Sequence, residues 1–127
     1  MRAPDLIAKR CVPCRGGTPP LTPEQAREYL AALPQWTLAP DAKRLSRTFT
    51  FKDFKQAMAF VNRVADVAEA EGHHPDLAIH WNRVGVELWT HAIGGLHEND
   101  FIVAAKIDGK AEEGGRGRSR ADRDSPA

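Results

Sequence analysis

Three of the chain's five histidines, His73, His74 and His91, combine with Asp100 into a set of residue types suited to proton chemistry. An unperturbed imidazole titrates near pH 6.5, so it can give and take protons at neutral pH. A carboxylate beside one of them can orient the ring or stabilise its charged form. No nucleophile accompanies the set. The only cysteines, Cys11 and Cys14, lie far upstream, and no serine falls between Ser46 and Ser119. Covalent catalysis is therefore not expected. Three imidazoles and an aspartate could instead hold zinc with an open fourth position. The spacing lacks the i, i+4 histidine pair typical of helical metal sites, so no metal is expected. His80 and His97 read as structural or solvated. Cys11-Val12-Pro13-Cys14 is at most half a zinc site and reads as a pair of free thiols.

The elements around these residues must bring them together. Thr22-Pro23-Glu24-Gln25 carries an N-cap, a proline at the first helical position and a capping-box glutamine, predicting a helix to about Leu33 that stops before Pro34. Trp36-Thr37-Leu38 is a short strand candidate, and Lys43 to Phe51 a second, with Leu45, Phe49 and Phe51 alternating and Arg47 the exception. Asp53 opens a longer helix that Gly72 ends. On its wheel Phe54, Ala57, Met58, Val61, Val64, Ala65 and Ala68 form one stripe. Phe60 and Val67 widen the apolar arc to roughly 180°, which fits either a deeply buried helix or one packing on its own sheet and also on another subunit.

Leu77, Ile79 and Trp81, then Val84, Val86 and Leu88, alternate with smaller or polar residues around Asn82-Arg83. A two-residue hairpin there pairs Trp81 with Val84, Ile79 with Val86 and Leu77 with Leu88, placing all six large side chains on one face. Extended, this register sets His74 opposite His91, with Pro75 interrupting the ladder and His73 adjacent. A last helix from about Glu98 to Ile107 carries Asp100 in its first turn, across Gly94-Gly95 from His91. Helix, two strands, helix, two strands, helix predicts an α+β two-layer fold: a four-stranded antiparallel sheet with helices on one face.

Composition bounds the reading. The 127 residues fit one domain, and 18 Lys+Arg against 17 Asp+Glu leave +1, too little for a broad basic field that binds nucleic acid or a polybasic membrane anchor. No apolar run reaches the roughly 18 residues of a membrane span, and the first ten residues lack a signal-like apolar stretch, so a cytoplasmic protein is expected. Residues 1–20 hold KRCVPCRGGTPP and are expected to run irregularly as a flexible segment. Residues 109–127 contain no apolar side chain larger than Ala or Pro and are expected to be disordered. The folded domain is placed at residues 21–108.

With these residues in view, the chain resembles the pterin-4a-carbinolamine dehydratase family. The likeness is carried by Glu69, then three residues on His73-His74-Pro75, then Trp81, His91 and Asp100, and by THAIGGLHENDFIVAAKID and LTPEQAREYLAALPQW. It covers roughly residues 10–108. The resemblance implies the fold just described, with three helices on one face of the sheet, and subunits that pair their sheets into homodimers or assemble into homotetramers through the long helix. It implies a lyase that dehydrates a 4a-hydroxytetrahydropterin to the quinonoid dihydropterin, recycling the cofactor of aromatic amino acid hydroxylases, with no metal or organic cofactor. By carry-over His73 and His91 form the acid–base pair, His74 positions the substrate and Asp100 supports the imidazoles. Thr90, Pro75 and Trp36 line the pterin pocket, and Glu69 and Trp81 complete the substrate-binding set. One departure stands out: the family has Thr or Ser before the last helix, where this chain has His97, and loss of a hydroxyl cap is expected to loosen the turn carrying Asp100. Proteins of this fold also serve as protein-binding factors, such as a dimerisation partner of a transcription factor or assembly chaperones. That alternative role would not need the histidines.

Overall fold

A computed structural model describes residues 3–12 and 17–116. In chain order the elements are α1 (Ala3–Ile7), α2 (Pro23–Leu30), β1 (Thr37–Leu38), β2 (Leu45–Thr50), α3 (Phe54–Glu71), β3 (Asp76–His80), β4 (Arg83–Leu88), a 3-10 turn (His91–Ile93) and α4 (Glu98–Arg116). The four strands form one antiparallel sheet in the order β1-β2-β4-β3. This is the α+β architecture expected from the alternation of helix and strand signals. The helix boundaries follow local chemistry. Thr22 Oγ1 accepts from Gln25 N at 3.2 Å while Gln25 Oε1 accepts from Thr22 N at 2.9 Å, the reciprocal capping box. Asp53 caps α3 by accepting from Gln56 N at 2.9 Å, and Gly72 ends it in the left-handed conformation, φ 64°.

The core lies between the sheet and the helices. Leu45, Phe49, Val84, Val86 and Leu88 are buried on the sheet side, and Phe60, Val64, Phe101, Ile102 and Ile107 on the helix side. Arg47, the break in the β2 alternation, shares the inner face. Its guanidinium donates to Asp108 at 2.7 Å and to Gln35 at 2.9 Å and covers the Phe49 ring. The pairing explains how a charge fits an otherwise apolar row.

Four expectations about the fold are corrected. First, the β3–β4 register pairs Ile79 with Val84 and Leu77 with Val86, two residues away from the expected pairing. Trp81 is a turn residue, not a strand partner: it has φ 54° and is 63% exposed. Asn82 fixes this turn, because its Nδ2 donates to Phe51 O at 2.9 Å and its carbonyl accepts from Phe51 N at 2.8 Å. A shift of two keeps the faces unchanged, so the inward row survives. Second, Phe60 and Val67 of α3 lie in the core, whereas Phe54 and Ala65 are exposed and Met58 and Val61 half-buried. Third, the N-terminal segment is not wholly irregular. α1 packs on α4 and buries Leu6 completely, giving one apolar side chain enough burial to hold a single turn of helix. Fourth, the helix predicted to end at Ile107 runs on to Arg116. Cys14 and residues 117–127 lie outside the described residues, and with them the thiol pair and most of the expected tail.

Candidate active site

The C-terminal end of α3, the end of β4 and the first turn of α4 meet around a cavity of about 620 Å³. Gly72 reverses the chain after α3 so that His73 and His74 precede β3, which begins directly after Pro75. His73 Nε2 lies 2.5 Å from Asp100 Oδ1. Asp100 is fully buried, and its other oxygen accepts from Thr90 Oγ1 at 2.8 Å and from His97 N at 3.0 Å. Sitting in the first turn of α4, its carboxylate also meets the positive end of the helix dipole. With Asp100 as acceptor, His73 carries its proton on Nε2, leaving Nδ1 as the nitrogen that can take another.

His91 reaches the same cavity by a different route from the one expected. Continuing the observed register beyond the Asp76–Glu87 pair sets His74 opposite Trp89, not His91. A tight loop delivers His91 instead: Thr90 N donates to Gly95 O at 2.8 Å, and Gly94 closes the intervening 3-10 turn at φ 63°. Gly95 is required there, because a Cβ would stand 2.8 Å from Pro20 Cβ. The exposed His91 ring stacks on Trp89 with centroids 3.8 Å apart. Arg44 lies over the same indole, Cζ 4.3 Å from its centroid. His74 is exposed, and its Nε2 lies 2.7 Å from Glu69 Oε2.

His73, His74, His91 and Thr90 therefore line one cavity, with Asp100 behind His73 and Glu69 behind His74. Pro75, Trp36 and Trp81 are not part of its lining. Trp36 is a core residue, packed edge-on to Phe49, with Nε1 donating to Asp108 at 2.9 Å. Trp81 sits at the hairpin tip, the opposite end of β4 from Thr90. His97 does not leave α4 uncapped as expected. Its Nδ1 accepts from Asn99 N at 3.0 Å, the bond a hydroxyl cap would make, while Asp100 reciprocates to His97 N.

Sequence reasoning missed Cys11, Val12, Glu71, Trp89 and Asn99 in the lining. Only the KRCVPC stretch signalled the first two, and nothing in its composition says where it docks. The Cys11 thiol is pushed up to about 12 by burial, reinforced by the neighbouring Glu71 carboxylate, and is protonated at neutral pH. Glu71 is held below the usual carboxylate range. Burial alone would raise it, but the Cys11 N–H at 2.8 Å, the Lys106 ammonium at 2.7 Å and Arg10 outweigh that. Among the described residues no group of three or more His, Cys, Asp or Glu is arranged to hold a metal ion. Among the same residues no helix is long and apolar enough to cross a membrane.

Residues 19–110 match the family model described as pterin 4 alpha carbinolamine dehydratase. A protein of Methylococcus capsulatus bearing the pterin-4-alpha-carbinolamine dehydratase name is 52% identical over 113 residues, covering 89% of this chain and 99% of its own. One from Nitrosomonas eutropha with the same name is 55% identical over 105 residues, 82% of this chain and 91% of its own. The crystal structure of a transcriptional coactivator/pterin dehydratase from Brucella melitensis superposes with a TM-score of 0.69 at 36% identity, over 72% of this chain and 97% of that one. A pterin dehydratase-like protein identified as a RuBisCO assembly factor in the alpha-carboxysome gives a TM-score of 0.53 at 25% identity, over 60% and 88%.

Proposed function

The chain belongs to the pterin-4a-carbinolamine dehydratase family, and we propose that it removes water from a 4a-hydroxytetrahydropterin by histidine acid–base catalysis. The reaction needs the N5 proton to leave and the 4a-hydroxyl to depart protonated, as water, giving the quinonoid dihydropterin. His73 is the base. Its Nε2–H is held by a fully buried carboxylate, which stabilises the imidazolium formed when Nδ1 takes the N5 proton. His91 is the acid, exposed and able to recover its proton from solvent. His74, tied to Glu69 at the rim, positions the ring. The observation that carries this reading is the His73–Asp100 contact inside the cavity that His91 also lines.

The test is a dehydration assay on a synthetic 4a-hydroxytetrahydropterin, with the spontaneous reaction subtracted. Wild-type protein should accelerate it, and His73→Ala or His91→Ala should lose most of the acceleration. Wild-type protein no faster than the spontaneous reaction would defeat the proposal.

The same proposal includes a homodimer or homotetramer. Phe54, Met58 and Ala65 make an outward apolar stripe on α3, half-buried or exposed, beside a core face filled by Ala57, Phe60, Val64, Val67 and Ala68, with Val61 packed at its margin. β3 is an exposed edge strand, with Leu77 37% and Ile79 39% exposed. Open edges are where chains pair. The exposed edge also favours a second reading, a protein-binding role that would survive loss of all three histidines.

A further inference from the structure

The four residues Lys9 to Val12 precede the segment matched by the family model, and Cys11 and Val12 of this stretch line the cavity. Two anchors hold them there. Asn99, buried beside Asp100, grips the Val12 backbone with both ends of its amide: Oδ1 accepts from Val12 N at 3.1 Å and Nδ2 donates to Val12 O at 2.6 Å. Glu71, two positions before His73, accepts from Cys11 N at 2.8 Å. Lys9 adds an ion pair to Glu98 in the first turn of α4. The segment thus bridges the two helix ends that carry His73 and Asp100.

This clamp fixes an apolar side chain in an unusual place. Val12 is 55% exposed, although both polar groups of its backbone are engaged. Around the cavity the other lining side chains are three imidazoles, the Thr90 hydroxyl, the Asn99 amide, the Glu71 carboxylate, the Cys11 thiol, the Trp89 indole and the Ala92 methyl. Trp89 is already engaged by the His91 ring and by Arg44. Val12 and the smaller Ala92 are the aliphatic side chains left to meet a flat heterocycle. A single exposed valine on a surface needs no explanation. One held by a buried bidentate amide at the mouth of a catalytic cavity does.

We propose that Val12 is a substrate-contacting residue, presented by the Asn99 clamp as the apolar bed for the pterin ring; this rests on the dehydratase reading above. Substrate and product share the fused ring, so the contact binds ground state and transition state alike and acts through KM.

The experiment compares wild type, Val12→Ala, Asn99→Ala and the double variant in full-length protein. It measures steady-state dehydration and, independently of turnover, binding of 7,8-dihydropterin by fluorescence. Removing two methyl groups from a partly covered contact should raise KM and the dihydropterin Kd about threefold to tenfold in Val12→Ala, with kcat and melting temperature at wild-type values. In the Asn99→Ala background, where the clamp is gone, Val12→Ala should add little. Wild-type KM and Kd in Val12→Ala would overturn the proposal. So would an undiminished Val12 effect without Asn99, which would show that the clamp does not present it. Wild-type protein that binds dihydropterin in a Val12-dependent way but does not dehydrate would overturn the dehydratase reading and leave the contact standing.

Discussion

His73 Nε2 and Asp100 Oδ1 stand 2.5 Å apart, joining the end of one helix to the start of another. The carboxylate serves three donors at once, His73, the Thr90 hydroxyl and the His97 amide. Its position in the fold and its role toward the imidazole are one arrangement: the bonds that cap α4 are those that aim the acceptor at His73.

Asp100→Asn tests that arrangement. An amide has one accepting oxygen and a donating NH₂, so it cannot serve three donors in a site from which water is excluded. One donor is left facing another, or His73 switches tautomer. Either way kcat should fall about 10²-fold or more, as for loss of a positioned acid–base group. The unsatisfied pairing should also destabilise by about 1–3 kcal/mol. The pH profile separates the two roles: a purely structural aspartate would leave the shape of kcat against pH unchanged. That unchanged shape is the result that would refute the link to His73.

Much of this site was legible because the chemistry lies at element boundaries that local residues define. Asp53 and Gly72 bracket α3 and so place His73, and Gly94-Gly95 turn the chain at His91. What was hidden depended on tertiary choices. The hairpin slid by two because Asn82 bonds to Phe51, a contact 31 residues away in sequence, and that bond puts Trp81 in the turn despite its bulk. The facing of α3 was ambiguous because an apolar arc near 180° offers two faces, and packing against α4 and the sheet, where Phe60 meets Phe49 and Phe51, selects the one containing Phe60 and Val67. His97 looked like a lost cap because a ring nitrogen is not on the usual list of capping groups, yet it accepts as a hydroxyl does. Trp36 was drawn into the pocket by resemblance, while its indole N–H is satisfied by Asp108 in the core.

Acid should loosen the N-terminal segment from α3. Glu71 is held below its ordinary value in the folded protein, so its carboxylate contributes stability in full above the unfolded value and loses it as pH falls through the lowered folded one. Glu98, lowered by Lys9 and the Tyr29 hydroxyl against the opposing effect of burial, acts in the same direction. Glu71→Gln should therefore be less stable than wild type at pH 7, and the two denaturation curves should converge as pH falls below about 4.5. A stability difference independent of pH between 7 and 3 would show that the charge of Glu71 is not what holds Cys11 and Lys106.

Assembly should respond to the outward face of α3 and not to its inward one. On the proposed assembly, Phe54→Glu or Met58→Glu puts a carboxylate into an interface that it can escape by dissociating, so the mass in solution should drop while the melting curve stays cooperative. Phe60→Glu puts the same charge into a fully buried position and should unfold the domain outright. Sedimentation of wild type as a monomer at micromolar concentration, or an unchanged mass for both outward variants, would remove α3 as the interface.

The three histidines should separate kinetically. In the proposed mechanism His73 and His91 transfer the two protons, so His73→Ala and His91→Ala should each lower kcat by roughly 10²-fold or more. His74 sits exposed at the rim with Glu69 and has no buried carboxylate behind it. His74→Ala should act chiefly on KM, and Glu69→Gln should show a weaker version of the same change. The two proton-transfer groups serve one transition state, so the His73→Ala/His91→Ala double variant should lose less than the product of the single losses. His91 is also the more tolerant position geometrically. Its ring is placed by stacking on Trp89, and Trp89→Phe should keep most of the activity where Trp89→Ala does not. Near wild-type kcat in a folded His91→Ala protein would leave His73 without its partner. The acid would then have to be sought in His74 or in solvent, and the division of roles drawn from the cavity would fall.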